Sequence, residues 1–497
     1  MSSMIGIGIG IPFRRMGAGV DPQAQAHYNR VIADNGVIPS GLDGVNNFFK
    51  TVKAIYGTSD ITTAISVGLD AQVLGYKLGA GAGTTAGQAA QKLYSCSGSS
   101  GDVVQTTAAS QPLLLVHEGA NYLFCPNVTG NSVTTPNAAA NQITGDLDII
   151  AYLKHTSNGT LNGICSKNDS GSNRGYSFVF ESNTLTLYYG TNSLNVASAT
   201  SIVVSGSKLW VRCTRNSSTG DIKFYTSNNP VTTAISSISW TQLGATVSGL
   251  AGSLNSSGTL PLVIGGYIST SSGFGSQEQI YRLTISNSIG GTPVVDFNPN
   301  QYNAANSQTQ WVSTSGETWT INTGTATTGY KGQIVTKTIV QGDGIDDVMG
   351  KNSAFTSTKN LSVYSAKKSF NITNSNGYIS SAVNPGEMVL SDISFFIGGS
   401  TFSPTGRSTL LQFSALRQSS SNTSKVRYNA NADTSGTPTT VACNRIILFG
   451  SPYAWDYGTA QYSNNILSTV IITSNYDSDV TSTSIYNLLK SINNNAF

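Results

Sequence analysis

Apolar and polar positions change period twice along this chain. After Asp21-Pro22, the residues Val20, Ala24, Tyr28, Val31 and Ile32 recur at helical spacing as far as Gly36. An acidic N-cap followed by proline is a helix start, so a first helix is predicted there. Ser40 and Asp43 open a second, with Leu42, Val45, Phe49, Val52 and Tyr56 on one face and Gly57 as its stop. From residue 61 to 112 the pattern is weak. Then the period becomes two. Leu147, Ile149, Ala151 and Leu153 share one face of a strand, Tyr176, Phe178 and Phe180 another, and Leu185, Leu187 and Tyr189 a third. Trp210–Cys213, Ile222–Tyr225, Trp240–Leu243, Leu262–Ile264 and Ile280–Ile285 continue the series between Gly, Asn and Ser clusters. A second run of strands includes Leu361–Tyr364, Val389–Ile397, Thr409–Phe413, Val426–Tyr428, Ile446–Phe449 and Leu467–Ile472. Helical spacing returns at the end with Ile485, Leu488, Leu489 and Ile492.

This pattern predicts a mainly β protein with two tandem antiparallel β-sandwiches after a small helical region. The expected boundaries are a docking strand over 1–20, a helical hairpin and Gly-rich connector over 21–110, and a first sandwich over 111–310. A linker or hairpin follows over 311–340, with Trp311 and Trp319 as packing anchors, and then a second sandwich with a closing helix over 341–497. A short phrase recurs loosely, Gly119-Ala-Asn-Tyr-Leu-Phe124 and Gly344-Ile-Asp-Asp-Val-Met349. Each copy follows an apolar run, 113–116 or 334–340.

The first residues have their own pattern. Ile5, Ile7, Ile9 and Ile11 alternate with glycine, then come Pro12, Phe13, Arg14 and Arg15. In an extended strand all four Ile side chains share a face, and the bare Gly face lets another backbone approach closely. The segment is therefore expected to dock on a sheet edge of a partner. It has neither the basic region nor the cleavage site of a signal peptide.

Composition narrows the function classes. Charged residues are 10% of the chain, and 27 basic residues nearly balance 24 acidic ones. No basic cluster exceeds Arg14-Arg15 or Lys367-Lys368, so nucleic-acid binding is not expected. No apolar run is long enough for membrane insertion. Five cysteines, at 96, 125, 165, 213 and 443, show neither CxxC spacing nor a histidine cluster, which predicts buried free thiols. Gly79–Gly87 contains GxGxxG only nominally, without the strand and helix that a dinucleotide site needs.

Several strands carry a family likeness. Thr144-Gly-Asp-Leu-Asp-Ile-Ile150, Gly175-Tyr-Ser-Phe178, Leu185-Thr-Leu-Tyr188, Leu209-Trp-Val-Arg212, Lys223-Phe-Tyr-Thr226 and Trp240-Thr-Gln-Leu-Gly244 follow one order. They resemble the concanavalin-A-like, laminin-G-like jelly-roll modules of bacteriophage virion proteins. Gly342-Asp-Gly-Ile-Asp-Asp347 resembles the opening of a second such module, and residues 464–493 its closing strand and helix. The N-terminal Ile/Gly segment and helical pair are similar to the start of phage structural proteins that carry these modules. The resemblance implies a head, collar or tail appendage or decoration protein, located in the virion and assembled in the bacterial cytoplasm. It also implies docking to other virion proteins through residues 5–15, a homo-oligomer such as a trimer, and host or environmental glycans as ligands. Leu93–Gly101 with Val104–Thr107 is similar to the start of an arabinofuranosidase-like jelly roll, although Leu93-Tyr94-Ser95-Cys96 replaces that family's acidic pattern. A glycan hydrolase carried on the virion is therefore the alternative.

The residues themselves offer little catalysis. Glu118, Glu181, Glu278, Glu317 and Glu387 have no motif around them, and His27 and His155 have no partner at metal spacing. Hence no enzyme and no cofactor is expected. Asp343, Asp346 and Asp347 are a weak calcium candidate, because strand-entry turns favour Asp without any metal. Tyr453, Trp455, Asp456 and Tyr457 form the best local aromatic cluster for stacking on a sugar, with a core or intersubunit plug as the plainer role.

Overall fold

The computed structural model describes residues 19–79, 88–128, 130–156, 161–168, 174–191, 193–266, 275–304, 306–324, 329–343, 345–354, 359–368, 377–382, 387–391, 395–397, 400–402, 411–437, 445–449 and 465–493. The docking segment 5–15, most of the Gly-rich segment 79–87, Cys443 and the cluster 453–457 lie outside these residues.

The predicted helices form where their caps specify. Asp21 accepts hydrogen bonds from the amides of Gln23 and Ala24 and starts Pro22–Ala33. Gly41–Tyr56 ends on Gly57 in the left-handed conformation, φ 63°, which glycine adopts without a Cβ penalty. Ser40 precedes that helix, but its side chain makes no capping bond. A short turn, Ile61–Ala64, and the closing helix Asp479–Asn493 complete the described helices.

The rest is antiparallel sheet, distributed differently from the tandem boundaries. The described strands between residues 122 and 335 form one sandwich of an eight-stranded and a nine-stranded sheet. Seventeen further described strands, from 67–115 and 339–473, form another sandwich that flanks it in sequence. The first sandwich is thus an insertion. Its two ends emerge from neighbouring strands, since Leu113–Leu115 pairs with Ile339–Gln341. These are the apolar runs that precede the two copies of the recurring phrase. The stretch expected as a connector supplies strands Val67–Asp70, Tyr76–Leu78, Gln88–Leu93, Val103–Val104 and Leu113–Leu115 to the outer sandwich. The stretch expected as a linker supplies Gln310–Val312, Thr318–Thr323 and Gln333–Val335 to the inserted one. Trp311 and Trp319 are indeed packed, facing each other across a strand pair with rings 6.4 Å apart. The physical reason for both corrections is that an edge strand needs a partner, and each stretch finds some of its partners far away in sequence.

Three layers of apolar contact hold this arrangement. The inserted core joins Leu147, Ile149, Ala151 and Leu153 to Phe178, Phe180, Leu187 and Phe224. The outer core joins Val67 and Leu69 to Val363, Leu416, Ile446 and Ile472. The helices cover the back of the outer sandwich, with Phe49, Val52, Ile485 and Leu489 against Tyr364, Ala366 and Ile471. A separate seam packs Leu113, Leu115, Val335 and Ile339 against Tyr152, Trp210 and Tyr281. Cys125, Cys165 and Cys213 sit in the inserted core, and Cys96 lies under the helices. Burial pushes the thiols of Cys96 and Cys165 up to about 12, so they behave as small hydrophobes.

Candidate functional site

The inserted sandwich has one sheet face that the seam covers only in part. On Leu147–Lys154 the odd positions point to the core, so Asp148, Ile150, Tyr152 and Lys154 point outward. The neighbouring strand Lys208–Arg215 presents Trp210 and Arg212 on that same face, opposite Tyr152 and Ile150. On the other side lies Gln279–Ser286. A bulge falls between Ile280 and Arg282. It keeps Ile280, Leu283 and Ile285 in the core while Tyr281 turns to the seam and Arg282 faces outward beside Tyr152. A bulge re-aims a side chain in this way by adding one residue to one strand.

Beyond the seam this face opens into a groove of about 720 Å³. Its floor is Asp148, Ile150, Arg212 and Arg282. One wall is the loop carrying Ile235, Ile238 and Trp240, and the other is Ser286 with Gly290–Pro293. Trp210 Nε1 donates to the carbonyl of Pro230 at 3.2 Å, which ties the first wall to the sheet. The amide of Gly290 donates to Asp148 Oδ2 at 2.8 Å, which ties the second.

Two arginines are fixed on the floor. Arg212 donates through Nε to Asp148 Oδ1 at 2.8 Å and through Nη2 to Oδ2 at 2.6 Å. Its guanidinium lies 5.5 Å from the ring centres of both Tyr225 and Trp240. Arg282 makes the same two-pronged contact with Asp296, at 3.2 and 3.0 Å. Burial raises the Asp296 carboxyl against the lowering effect of Arg282. Paired guanidinium groups remain planar donors, and half-buried Trp240 supplies an aromatic edge to the same space. The arrangement suits a ligand with apolar C–H faces and many hydroxyls.

The three aspartates of the acidic turn lie close together. Carboxylate oxygens of Asp343, Asp346 and Asp347 lie within 4.8 Å of one another. Asp343 Oδ1 accepts from the amides of Ile345, Asp346 and Asp347, a turn-capping role. Asp347 Oδ2 accepts from Tyr330 Oη at 2.9 Å and from the amide of Asp343 at 3.0 Å. Burial, followed by the charge of Asp343, pushes the Asp347 carboxyl up to about 8. A proton on Asp347 therefore relieves the repulsion at neutral pH, and Tyr330 joins the turn amides as a donor to its carboxyl.

Among the described residues the scattered glutamates do not converge. Glu118 meets Lys208 at 3.1 Å, Glu181 meets Tyr188, and Glu317 meets Ser313 and Ser315. Glu278 is fully buried against His155, Nδ1 to Oε1 3.1 Å, with the imidazole stacked on Phe180 at 3.9 Å. Sequence reasoning missed Arg212, Arg282 and Asp148. In a chain this poor in charge, single charged residues on adjacent strands were the available signal.

No protein-family model matches this chain, and no curated protein does. Solved structures give distant likenesses. Mouse laminin alpha1 chain domains LG4-5 share 10% identity over 75% of this chain and all of that one, TM-score 0.27. The binding domain of botulinum neurotoxin DC in complex with SialylT shares 10% over 74% and 95%, TM-score 0.24. The CBM40 of a Ruminococcus gnavus IT-sialidase, bound to alpha2,3 sialyllactose, shares 11% over 33% and 90%, TM-score 0.24. Scores this low carry no inference, and the sandwich class stands on the strand pairings. No described helix is long and apolar enough to cross a membrane.

Proposed function

We propose that this chain is a structural component of a bacteriophage particle, an appendage or decoration protein, and that its inserted sandwich binds host or environmental glycan. The observation that carries the glycan reading is the groove, where Trp240 and two oriented arginines share an open sheet face. The particle reading is supported by the Ile/Gly alternation of residues 5–11 and by low charge, which removes self-repulsion in a dense assembly. Residues 5–15 dock the chain on another virion protein, and the chain assembles as a homo-oligomer. The groove is read as a binding site rather than a hydrolytic one because Asp148 and Asp296 are committed to arginine pairs. A glycosidase needs one carboxyl free to donate a proton and another free to attack or activate water.

Binding to host polysaccharides and a glycan array, compared between wild type, Trp240→Ala and Trp455→Ala, tests this reading. Loss of about tenfold in affinity is expected for Trp240→Ala, the scale of one aromatic contact. Loss only in Trp455→Ala would move the site to residues 453–457, and no binding by wild type would remove it. Depolymerisation abolished by one carboxylate substitution would instead favour the hydrolase. Replacing Ile7 and Ile9 by Asp should leave the fold intact and prevent incorporation into particles, and normal incorporation would end the docking idea.

A further inference from the structure

A second cluster of reactive groups lies in the outer sandwich, far in sequence from the groove residues and buried. Asp70 ends the strand Val67–Asp70 and sits opposite Thr469 of Ile466–Thr473. Lys337 lies in the crossover between Gln333–Val335 and Ile339–Gln341. Asn493 is the last residue of the closing helix and is fully buried. Lys337 Nζ lies 3.1 Å from Asp70 Oδ2 and 3.1 Å from Asn493 Oδ1. It also donates to the carbonyl of Ile492 at 3.3 Å. The side chains of Lys337 and Asp70 are 8% and 0% exposed.

The remaining contacts fix the orientation of the amide. Asn493 Nδ2 donates to Thr469 Oγ1 at 3.0 Å and to the carbonyl of Leu489 at 2.8 Å. Thr469 Oγ1 donates to Asp70 Oδ2 at 2.6 Å. Ser468 Oγ donates to Asn493 Oδ1. An amine, an amide carbonyl, a carboxylate in contact with the amine, a hydroxyl on the carbonyl oxygen and a hydroxyl on the amide nitrogen are thus assembled in one buried site. These are the components of acyl transfer to an amine.

We propose that Lys337 and Asn493 join in an intramolecular isopeptide bond, with Asp70 as the proton acceptor. Lys337 gives one proton to Asp70, and the freed lone pair on Nζ attacks Asn493 Cγ. The carbonyl electron pair moves to Oδ1, where the Ser468 hydroxyl stabilises it. Collapse restores the carbonyl and breaks the Cγ–Nδ2 bond. The second proton shed by the attacking nitrogen passes through Asp70 and Thr469 to Nδ2, which leaves as ammonia. The proton that Asp70 first accepted departs with it as ammonium. No oxidant, metal or cofactor is consumed. Burial contributes in two ways: it excludes the water that would hydrolyse the intermediate, and it holds the amine against the amide. The bond would tie the closing helix to the strand crossover, independently of whether the groove binds glycan.

Peptide mapping and intact-mass measurement of the full-length protein test this directly. The expected mass is about 17 Da below that of the translated chain, the loss of one ammonia. A proteolytic fragment carrying Lys337 should be recovered covalently joined to the one carrying Asn493. Lys337→Met, Asn493→Ala and Asp70→Asn should each restore the full mass and release the two peptides. Recovery of both peptides separate from folded wild type would overturn the proposal. A link from Lys337 to Asp70 with loss of water would overturn Asn493 as the acyl donor. A cross-link that persists in Asp70→Asn would remove Asp70 from the reaction.

Discussion

The two sandwiches solve the same packing problem with opposite connectivity. The inserted one is drawn from an unbroken run of sequence, and its core is closed by strands that lie within that run. The outer one takes its strands from both ends of the chain. Its strand Ile466–Thr473 pairs with Leu361–Lys368 on one side and with both Val67–Asp70 and Ile339–Gln341 on the other. A helical layer then covers it, and the helix side chains continue its packing. The contrast shows that self-sufficiency belongs to the segment with local closure, whereas the outer sandwich stands or falls with its last strand.

The largest effect should come from cutting that dependency. Deleting residues 466–497 removes the strand shared by three partners and the closing helix. Limited proteolysis of this variant should digest the outer strands and leave a resistant fragment bounded near residues 117 and 338. Digestion of the whole chain at one rate would break the comparison. A smaller cut acts on the seam. Trp210 is fully buried there, edge-on to Tyr152 at 5.1 Å. Trp210→Ala should cost about 3–5 kcal/mol, the range for large aromatic truncations. Scanning calorimetry should then resolve two transitions, one per sandwich, and a single unshifted transition would refute the seam's role.

The next effect separates the regions by pH. Asp347, in the outer sandwich, is held near 8, above the ordinary carboxylate value, chiefly by burial. A raised carboxyl binds its proton more tightly when folded, so its contribution is complete below about pH 4 and is lost as pH rises towards 8. His27, on the buried face of the helix Pro22–Ala33, is pushed down to about 4, first by burial, while its Nε2 donates to the carbonyl of Leu74 at 2.8 Å. Its contribution has the opposite sign, present above about pH 6.5 and lost as pH falls towards 4. Between about pH 6.5 and 8 the Asp347 effect should therefore be seen alone of these two, at no more than about 1.4 kcal/mol per pH unit. Denaturant midpoints for Asp347→Asn should lose that slope, and an unchanged slope would mean that Asp347 is ionised. The smallest effect is kinetic. Cys165 of the inserted core and Cys96 of the outer layer are both inert thiols. In mild denaturant Cys96 should label before Cys165, and equal rates would mean that the regions open together.

Much of this architecture was legible locally. Asp21-Pro22 and Gly57 mark helix ends because capping depends on neighbours a few residues away. The inward faces of Leu147–Lys154 and Thr184–Gly190 follow from period two alone. The insertion was not legible, because Leu113–Leu115 pairs not only with nearby Gln88–Leu93 but also with Ile339–Gln341, and no local period records the second partner. The strands Gln88–Leu93 and Val103–Val104 were missed as well, because the apolar pattern over 61–112 is weak. The groove was hidden for a related reason. Strict alternation puts Arg282 on the same face as Ile280, and only the bulge turns it outward. Trp240 was read only as the start of a strand, and its contact with Arg212 depends on the loop folding back over the sheet.

The pairing of Asp70 with Thr469 also sets a clock. These two residues are 399 positions apart, and translation proceeds at roughly 5–20 residues per second. The first strands of the outer sandwich therefore wait about 20–80 s for their partner to leave the ribosome. During that interval the inserted sandwich can be completed, while unpaired edges from residues 67–115 stand open to any neighbouring nascent chain. Yield in the cell should thus be governed by polysome crowding and chaperone supply more than by the final stability of the molecule.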